Sequence, residues 1–290
     1  MAIRRLIPNL LTAGNLIGGI LAIILTLQGH VELAPYCIFT SALFDFLDGF
    51  VARLLKVQSE LGKQLDSLAD MITFGVAPGI IVFELIRTEQ IINFTYQDYL
   101  PSALTYIFPI NTSCHCDYLL NSWTGEAANV CNSTAFTFLP YFAFLIPVFA
   151  LFRLAKFNLD TRQTSSFIGL PTPAMTIFVA ALPLMIAEGY ERSGTWRFEI
   201  VNDWIMNPYF LIGSSVILSI LMVVELPLFA LKFKHFKFKE NEIRYIFLTI
   251  SIILLATLFV WALPIIILLY IILSVINNLT KKQSKDEIQS

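Results

Sequence analysis

Four aspartates, Asp45, Asp48, Asp66 and Asp70, sit in or at the mouth of strongly apolar segments. Asp45 and Asp48 are three residues apart and Asp66 and Asp70 four apart, so on helices each pair shares one face and the two pairs can converge. An ionised side chain within a membrane helix costs roughly 2.5–3.5 kcal/mol even on mild insertion scales, so these groups must face a polar cavity and find partners. The neighbouring cations Arg53, Lys56 and Lys63 are long enough to snorkel toward the membrane surface. Carboxylates pooled this way repel one another, and a divalent cation is the economical counter-charge. All-oxygen ligands favour hard ions, Mg²⁺, Mn²⁺ or Ca²⁺, over zinc. Gly49 and Ala52 continue the Asp45 face at the next helical steps. They either clear space for a large flat ligand such as a nucleotide or let two helices pack closely, and spacing alone leaves both readings open.

The elements that must carry these groups are membrane helices. Of 290 residues 57% are hydrophobic and 14% charged, more apolar than a soluble domain. A net charge of −2 gives no field to attract nucleic acid. Apolar runs fall at about 10–28, 34–56, 64–87, 136–156, 173–190 and 205–231, each near the length of one crossing. The 243–278 stretch is too long for one, and Trp261-Ala262-Leu263-Pro264 offers a reversal, which predicts two more helices. The expected organisation is a single all-α integral membrane domain over 1–290: a six-helix core (1–231) with an outer loop (89–135), two added helices (243–278) and a polar tail (279–290). With the N-terminus placed inside, 16 Lys and Arg fall on that side and 3, Arg87, Arg192 and Arg197, on the other. The positive-inside rule therefore puts both termini in the cytoplasm. The first apolar run carries no small-residue cleavage site and should stay as a helix.

Asp48-Gly49-x-x-Ala52-Arg53, eight intervening residues, then Gly62-x-x-x-Asp66-x-x-x-Asp70 resembles the motif of the CDP-alcohol phosphotransferase family. Asp45 supplies a further upstream aspartate. The resemblance implies a six-helix core whose site opens to the cytoplasmic side of the cell membrane. There Asp45, Asp48, Asp66 and Asp70 would hold two divalent ions, Mg²⁺ or Mn²⁺ with Ca²⁺ as a bound substitute, against the diphosphate of a CDP-linked lipid. It implies that Asp70 also acts as general base, and that Gly49, Ala52, Arg53 and Gly62 shape the CDP pocket, with Asn9 and Thr12 touching the nucleotide. A homodimer is expected on the same ground. In such an enzyme an alcohol attacks the lipid-side phosphorus directly and CMP leaves.

The motif does not choose the alcohol. Ile7-Pro8-Asn9-Leu10-Leu11-Thr12-Ala13-Gly14-Asn15, Phe152-Arg153-Leu154-Ala155-Lys156-Phe157-Asn158 and Phe167-Ile168-Gly169-Leu170-Pro171-Thr172-Pro173-Ala174 are similar to the phosphatidylserine synthase branch. That likeness implies CDP-diacylglycerol as donor and L-serine as acceptor. Arg153 with Asn158 is the expected anchor for the amino acid's carboxylate; Lys156 stands where the branch commonly has arginine. Without the resemblance, Arg153 and Lys156 read first as cytoplasmic anchors, Thr172-Pro173 reads as the start of a helix, and Glu225 has no assignable partner. Glycerol 3-phosphate or inositol phosphate would be alternative acceptors, and a transporter would be the alternative class. Cys131 is expected to pair with Cys114 or Cys116 in the outer loop rather than to bind metal. The Lys232–Lys239 run suits an anionic lipid surface.

Overall fold

The computed structural model describes residues 2–57, 59–96, 111–120, 127–134, 138–159, 166–229 and 241–289. Helix α1 (Ala2–Leu27) is followed by α2 (Ala34–Leu54) and α3 (Glu60–Asp70). A π-helical stretch, Met71–Val76, joins α3 to α4 (Ala77–Tyr96) without a break. Strands β1 (Asn111–Leu120) and β2 (Ala127–Thr134) pair antiparallel. A 3₁₀ turn, Leu139–Phe144, opens α5 (Leu145–Leu159); β3 (Ser166–Ile168) and α6 (Thr172–Glu191) follow. Then come α7 (Trp196–Ile200), a π-helical Val201–Ile205, α8 (Pro208–Val223) and β4 (Pro227–Phe229), which pairs with β3. The C-terminal part holds α9 (Glu242–Leu258) and α10 (Ala262–Gln289).

Among the described residues five helical stretches are long and apolar enough to cross a membrane, and the bent pair Trp196–Ile205 and Pro208–Val223 makes up to a sixth. The chain is an all-α, multi-pass membrane protein whose two β ribbons are small additions. Its apolar outer surface fits that setting: α1 alone exposes Leu6, Leu10, Ile17, Leu21 and Leu27, which lipid tails cover without penalty.

Two boundaries differ from those the hydropathy suggests. The 205–231 run is not one straight helix, because Asn207 caps a new one: its side chain accepts the Tyr209 N–H and Pro208 takes the first turn, and the chain bends by 73° there. Helix α8 then ends at Val223, ahead of Pro227. Helix α4, in turn, continues to Tyr96 and the β1–β2 ribbon follows, inside what hydropathy marks as a loop. The cysteine pairing expected there, and the Lys232–Lys239 run, lie outside the residues whose side chains are described; in the backbone register Cys116 stands opposite Cys131.

The 38-residue apolar stretch Glu242–Leu279 doubles back. Phe247 and Tyr270 lie 23 positions apart in sequence, about 35 Å along a straight helix, yet their ring centroids are 5.7 Å apart and both pack on Phe229. The reversal sits at Phe259, which has a left-handed φ of 53°, ahead of Pro264.

The core is tightest where α1 meets α2 and the π-helical stretch. A Cβ on Gly18 would strike Ser41 Oγ, and one on Gly19 would lie 2.9 Å from the Thr73 Cα. These glycines let backbones approach, as small residues do between membrane helices.

A polar clamp holds the far end of α6. Glu188 Oε1 accepts from Arg197 Nη1 at 2.7 Å and Oε2 from Trp261 Nε1 at 3.0 Å, while Trp196 packs edge-on against Trp261. One carboxylate thus ties α6, α7 and the C-terminal hairpin together. Glu188→Ala would strand the half-buried Arg197, and is expected to lower stability by about 2–3 kcal/mol. Thermal unfolding in detergent should show Tm falling by several degrees, with turnover at low temperature little changed.

Candidate functional site

The site is built from α1, α2, α3 and α5, with support from α6. Helix α3 is started by Ser59, whose hydroxyl accepts the Gly62 N–H at 3.1 Å. That cap fixes the phase of α3, and so the direction in which Asp66 and Asp70 point. Asp45, Asp48 and Asp66 each offer one carboxylate oxygen, all within 4.8 Å of one another. Asp45 is also within hydrogen-bonding range of both Asp66 and Asp70. All four acids form one cluster; the first three make the compact oxygen triplet and Asp70 joins it through Asp45. An all-oxygen set of this size suits a hard divalent cation. The π-helical stretch begins immediately after Asp70, a common placement for such widened turns.

Helix α1 supplies the polar edge. Thr12 Oγ1 lies 2.5 Å from Asp48 Oδ2 and 3.1 Å from the Pro8 carbonyl. Asn15 Nδ2 donates to Asp70 Oδ1 at 3.1 Å, and the Asn15 carbonyl accepts from Thr73 Oγ1 at 3.1 Å. Thr12 therefore has its partner inside the protein, on a metal-binding candidate. Asn15 is fully buried and is the residue that sequence reasoning passed over. Its signal was present: Asn9, Thr12 and Asn15 recur every third position and so stripe one side of a strongly apolar helix. Asn9 Oδ1 would lie 3.8 Å from a Cβ on Gly62, which brings the starts of α1 and α3 together.

Gly49 stands in open space. Outside its own helix backbone, a Cβ there would meet nothing closer than the tip of Arg53, Nη2, at 4.0 Å. Among the described residues no neighbouring helix comes within 4 Å of that Cβ, in contrast to Gly18 and Gly19 on α1. The space above Gly49 is open and bordered by a guanidinium whose Nε donates to the Gly49 carbonyl at 2.9 Å. Open volume beside a cation and next to four carboxylates fits a phosphate-bearing ligand.

On α5, Arg153 is only 9% exposed. Its Nη1 donates to Thr172 Oγ1 at 3.1 Å, its guanidinium lies 5.9 Å from the Phe157 ring centre, and it feels the charge of Asp70. Its Nε is buried and has no hydrogen-bond partner among the described residues. Asn158 Nδ2 donates to Ser67 Oγ at 2.8 Å and its carbonyl accepts from Lys63 Nζ at 3.3 Å, which braces α5 against α3. Lys156 pairs with Glu225 at 2.7 Å, giving that acid the partner its sequence context does not reveal. Thr172 does not cap α6; the cap position is Pro171, and the threonine hydroxyl goes to Arg153. Glu84, another buried acid among the described residues, is paired with Arg87 at 2.7 Å and stands apart from the cluster.

Residues 5–110 match the CDP-alcohol phosphatidyltransferase family. The chain is 29% identical over 232 residues to CDP-diacylglycerol–serine O-phosphatidyltransferase of Bacillus subtilis (strain 168), covering 80% of this chain and 91% of that protein. The enzyme of the same name from Helicobacter pylori (strain ATCC 700392 / 26695) is 30% identical over 182 residues, 62% of this chain and 58% of its own length. Archaetidylserine synthase of Methanothermobacter thermautotrophicus is 26% identical over 181 residues, 61% of this chain and 58% of that protein. This chain thus spans nearly all of the Bacillus protein and little more than half of the other two. The family match falls on the helices that carry Asp45, Asp48, Asp66 and Asp70, and over that part, a little more than a third of its length, the chain is similar to the CDP-alcohol phosphatidyltransferase family.

Proposed function

We propose that this protein transfers the phosphatidyl group of CDP-diacylglycerol to the hydroxyl of L-serine, giving phosphatidylserine and CMP. The observation that carries the reaction type is the carboxylate cluster, with Asp45, Asp48 and Asp66 within 4.8 Å of one another, beside the open space over Gly49. The choice of serine is supported by the names of the relatives and by a buried guanidinium with an unused donor.

Asp45, Asp48, Asp66 and Asp70 are the groups that would hold divalent metal, two Mg²⁺ or Mn²⁺ ions in this reading. When bound, such ions neutralise charge on the donor's diphosphate and on the departing CMP. Gly49, Ala52, Arg53 and Gly62 border the CDP moiety, with Asn9 nearby and Thr12 holding Asp48. Asp70 takes the proton of the serine hydroxyl. As the serine Oγ–phosphorus bond forms, the bond from that phosphorus to the CMP oxygen breaks. Arg153 meets the serine carboxylate, and Asn158 keeps α5 in register with α3.

The Lys and Arg distribution supports a site facing the cytoplasm, both termini on that side, and residence in the cell membrane. A homodimer is part of the same proposal.

The test is CMP release by purified protein in detergent with CDP-diacylglycerol and Mg²⁺ or Mn²⁺, offering serine, glycerol 3-phosphate or inositol phosphate in parallel. Release dependent on serine supports the reading; release with another alcohol alone overturns it. Chelation with EDTA is expected to reduce turnover to background, and added Mg²⁺ or Mn²⁺ to restore it. Undiminished activity after chelation would remove the metal from the mechanism.

A further inference from the structure

The Phe167–Ala174 segment has no part in the metal cluster, yet the fold fixes it with care. Gly169 has a φ of +75°, and a Cβ there would lie 2.5 Å from the Met222 carbonyl; only glycine fits both conditions. The Gly169 N–H donates to the Leu226 carbonyl at 2.9 Å and the Leu170 N–H to the Leu221 carbonyl at 2.8 Å. With β3 paired to β4, the segment is pinned to the end of α8. Two residues on, Thr172 is 1% exposed and its hydroxyl meets Arg153 Nη1 at 3.1 Å.

Arg153 needs explaining. A guanidinium nine-tenths buried is costly unless paired, and here its described contacts are a neutral hydroxyl, a ring face and the field of Asp70. Its Nε remains without a partner. A planar fork recognises a carboxylate well only when its orientation is fixed. Thr172 is the group that fixes it, by accepting from one terminal nitrogen and so setting the plane of the guanidinium.

We propose that Thr172 is a positioning residue for amino-acid recognition: placed by the Gly169 turn, it orients the Arg153 guanidinium toward the acceptor's carboxylate. This rests on the serine reading above and extends it to a residue that does not touch substrate. The donor lipid is held elsewhere, at the carboxylates and Gly49, so the role should appear in the acceptor's KM and not in the donor's.

Steady-state CMP release is measured for wild type, Thr172→Ser, Thr172→Val, Arg153→Ala and the Thr172→Val/Arg153→Ala double variant, varying serine and CDP-diacylglycerol separately. Thr172→Val is expected to raise the serine KM about tenfold with the donor KM unchanged, whereas Thr172→Ser, which keeps the hydroxyl, stays near wild type. The double variant should be no worse than Arg153→Ala, because both changes remove one interaction. An unchanged serine KM in Thr172→Val, or additive losses in the double variant, would overturn the proposal. So would a parallel rise in the donor KM or loss of folded protein in Thr172→Val with no rescue by serine, since Thr172 would then be a packing residue. Wild-type protein that ignores serine defeats the underlying reading as well; serine-dependent wild type with an indifferent Thr172→Val defeats this inference alone.

Discussion

Asp70→Asn is expected to cut CMP release by at least ~10²-fold, the usual contribution of a positioned general base. Asparagine keeps the size and polarity of the side chain but cannot accept the serine proton. Asp70 stands apart from the oxygen triplet of Asp45, Asp48 and Asp66, so its loss should leave most of the metal-binding oxygens in place. It is the one acid of the four with a hydrogen bond from Asn15, at 3.1 Å, which steadies its carboxylate. CDP-diacylglycerol binding in the presence of metal should therefore survive in Asp70→Asn while single-turnover CMP release does not. Asp48→Asn offers the contrast: it removes an oxygen of the triplet, and should raise the metal concentration needed for half-maximal activity. Full turnover in Asp70→Asn would strip that residue of its role as base, and an identical metal dependence in Asp48→Asn would argue against the triplet.

What was legible in the sequence follows from range. Asp45, Asp48, Asp66 and Asp70 were readable because charges in apolar helices are expensive and helical spacing states which of them share a face. Both pairs lie on neighbouring helices, so one short connection brings them together. The all-α membrane architecture was readable for a similar reason, since hydropathy over a window of about 20 residues reports the span directly. Contacts between distant segments left no such trace. Thr172 and Arg153 meet across 19 positions, Lys156 and Glu225 across 69, and Glu188 and Trp261 across 73. Asn158 is a further case: its bond to Ser67 spans 91 positions and left no mark in its sequence neighbourhood. The bend at Asn207-Pro208 was missed for another reason, because an apolar window averages over a cap and a proline that locally decide where a helix restarts.

Gly49→Leu is expected to abolish donor binding without unfolding the protein, and it separates the two roles that small residues play in these helices. A leucine at Gly49 would start into space where its Cβ meets nothing nearer than the flexible tip of Arg53, at 4.0 Å, among the described residues. The added Cβ meets no clash, so yield and monodispersity in detergent are expected to match wild type. That same space is where the nucleotide of the donor is proposed to lie, and filling it should raise the KM for CDP-diacylglycerol or lower activity by ~10²-fold, the loss that steric misplacement in an active site can bring. Gly19→Ala is the reciprocal control. Its single added carbon would lie 2.9 Å from the Thr73 Cα, and forcing apart backbones packed this closely costs typically 1–3 kcal/mol. It should therefore lower Tm, and disturb Asn15 through the displaced Thr73 hydroxyl. If Gly49 served only to pack helices, the outcome would invert: Gly49→Leu would be unstable, and whatever folded would bind the donor normally. A stable Gly49→Leu protein with intact metal binding and no affinity for CDP-diacylglycerol would place the nucleotide against α2.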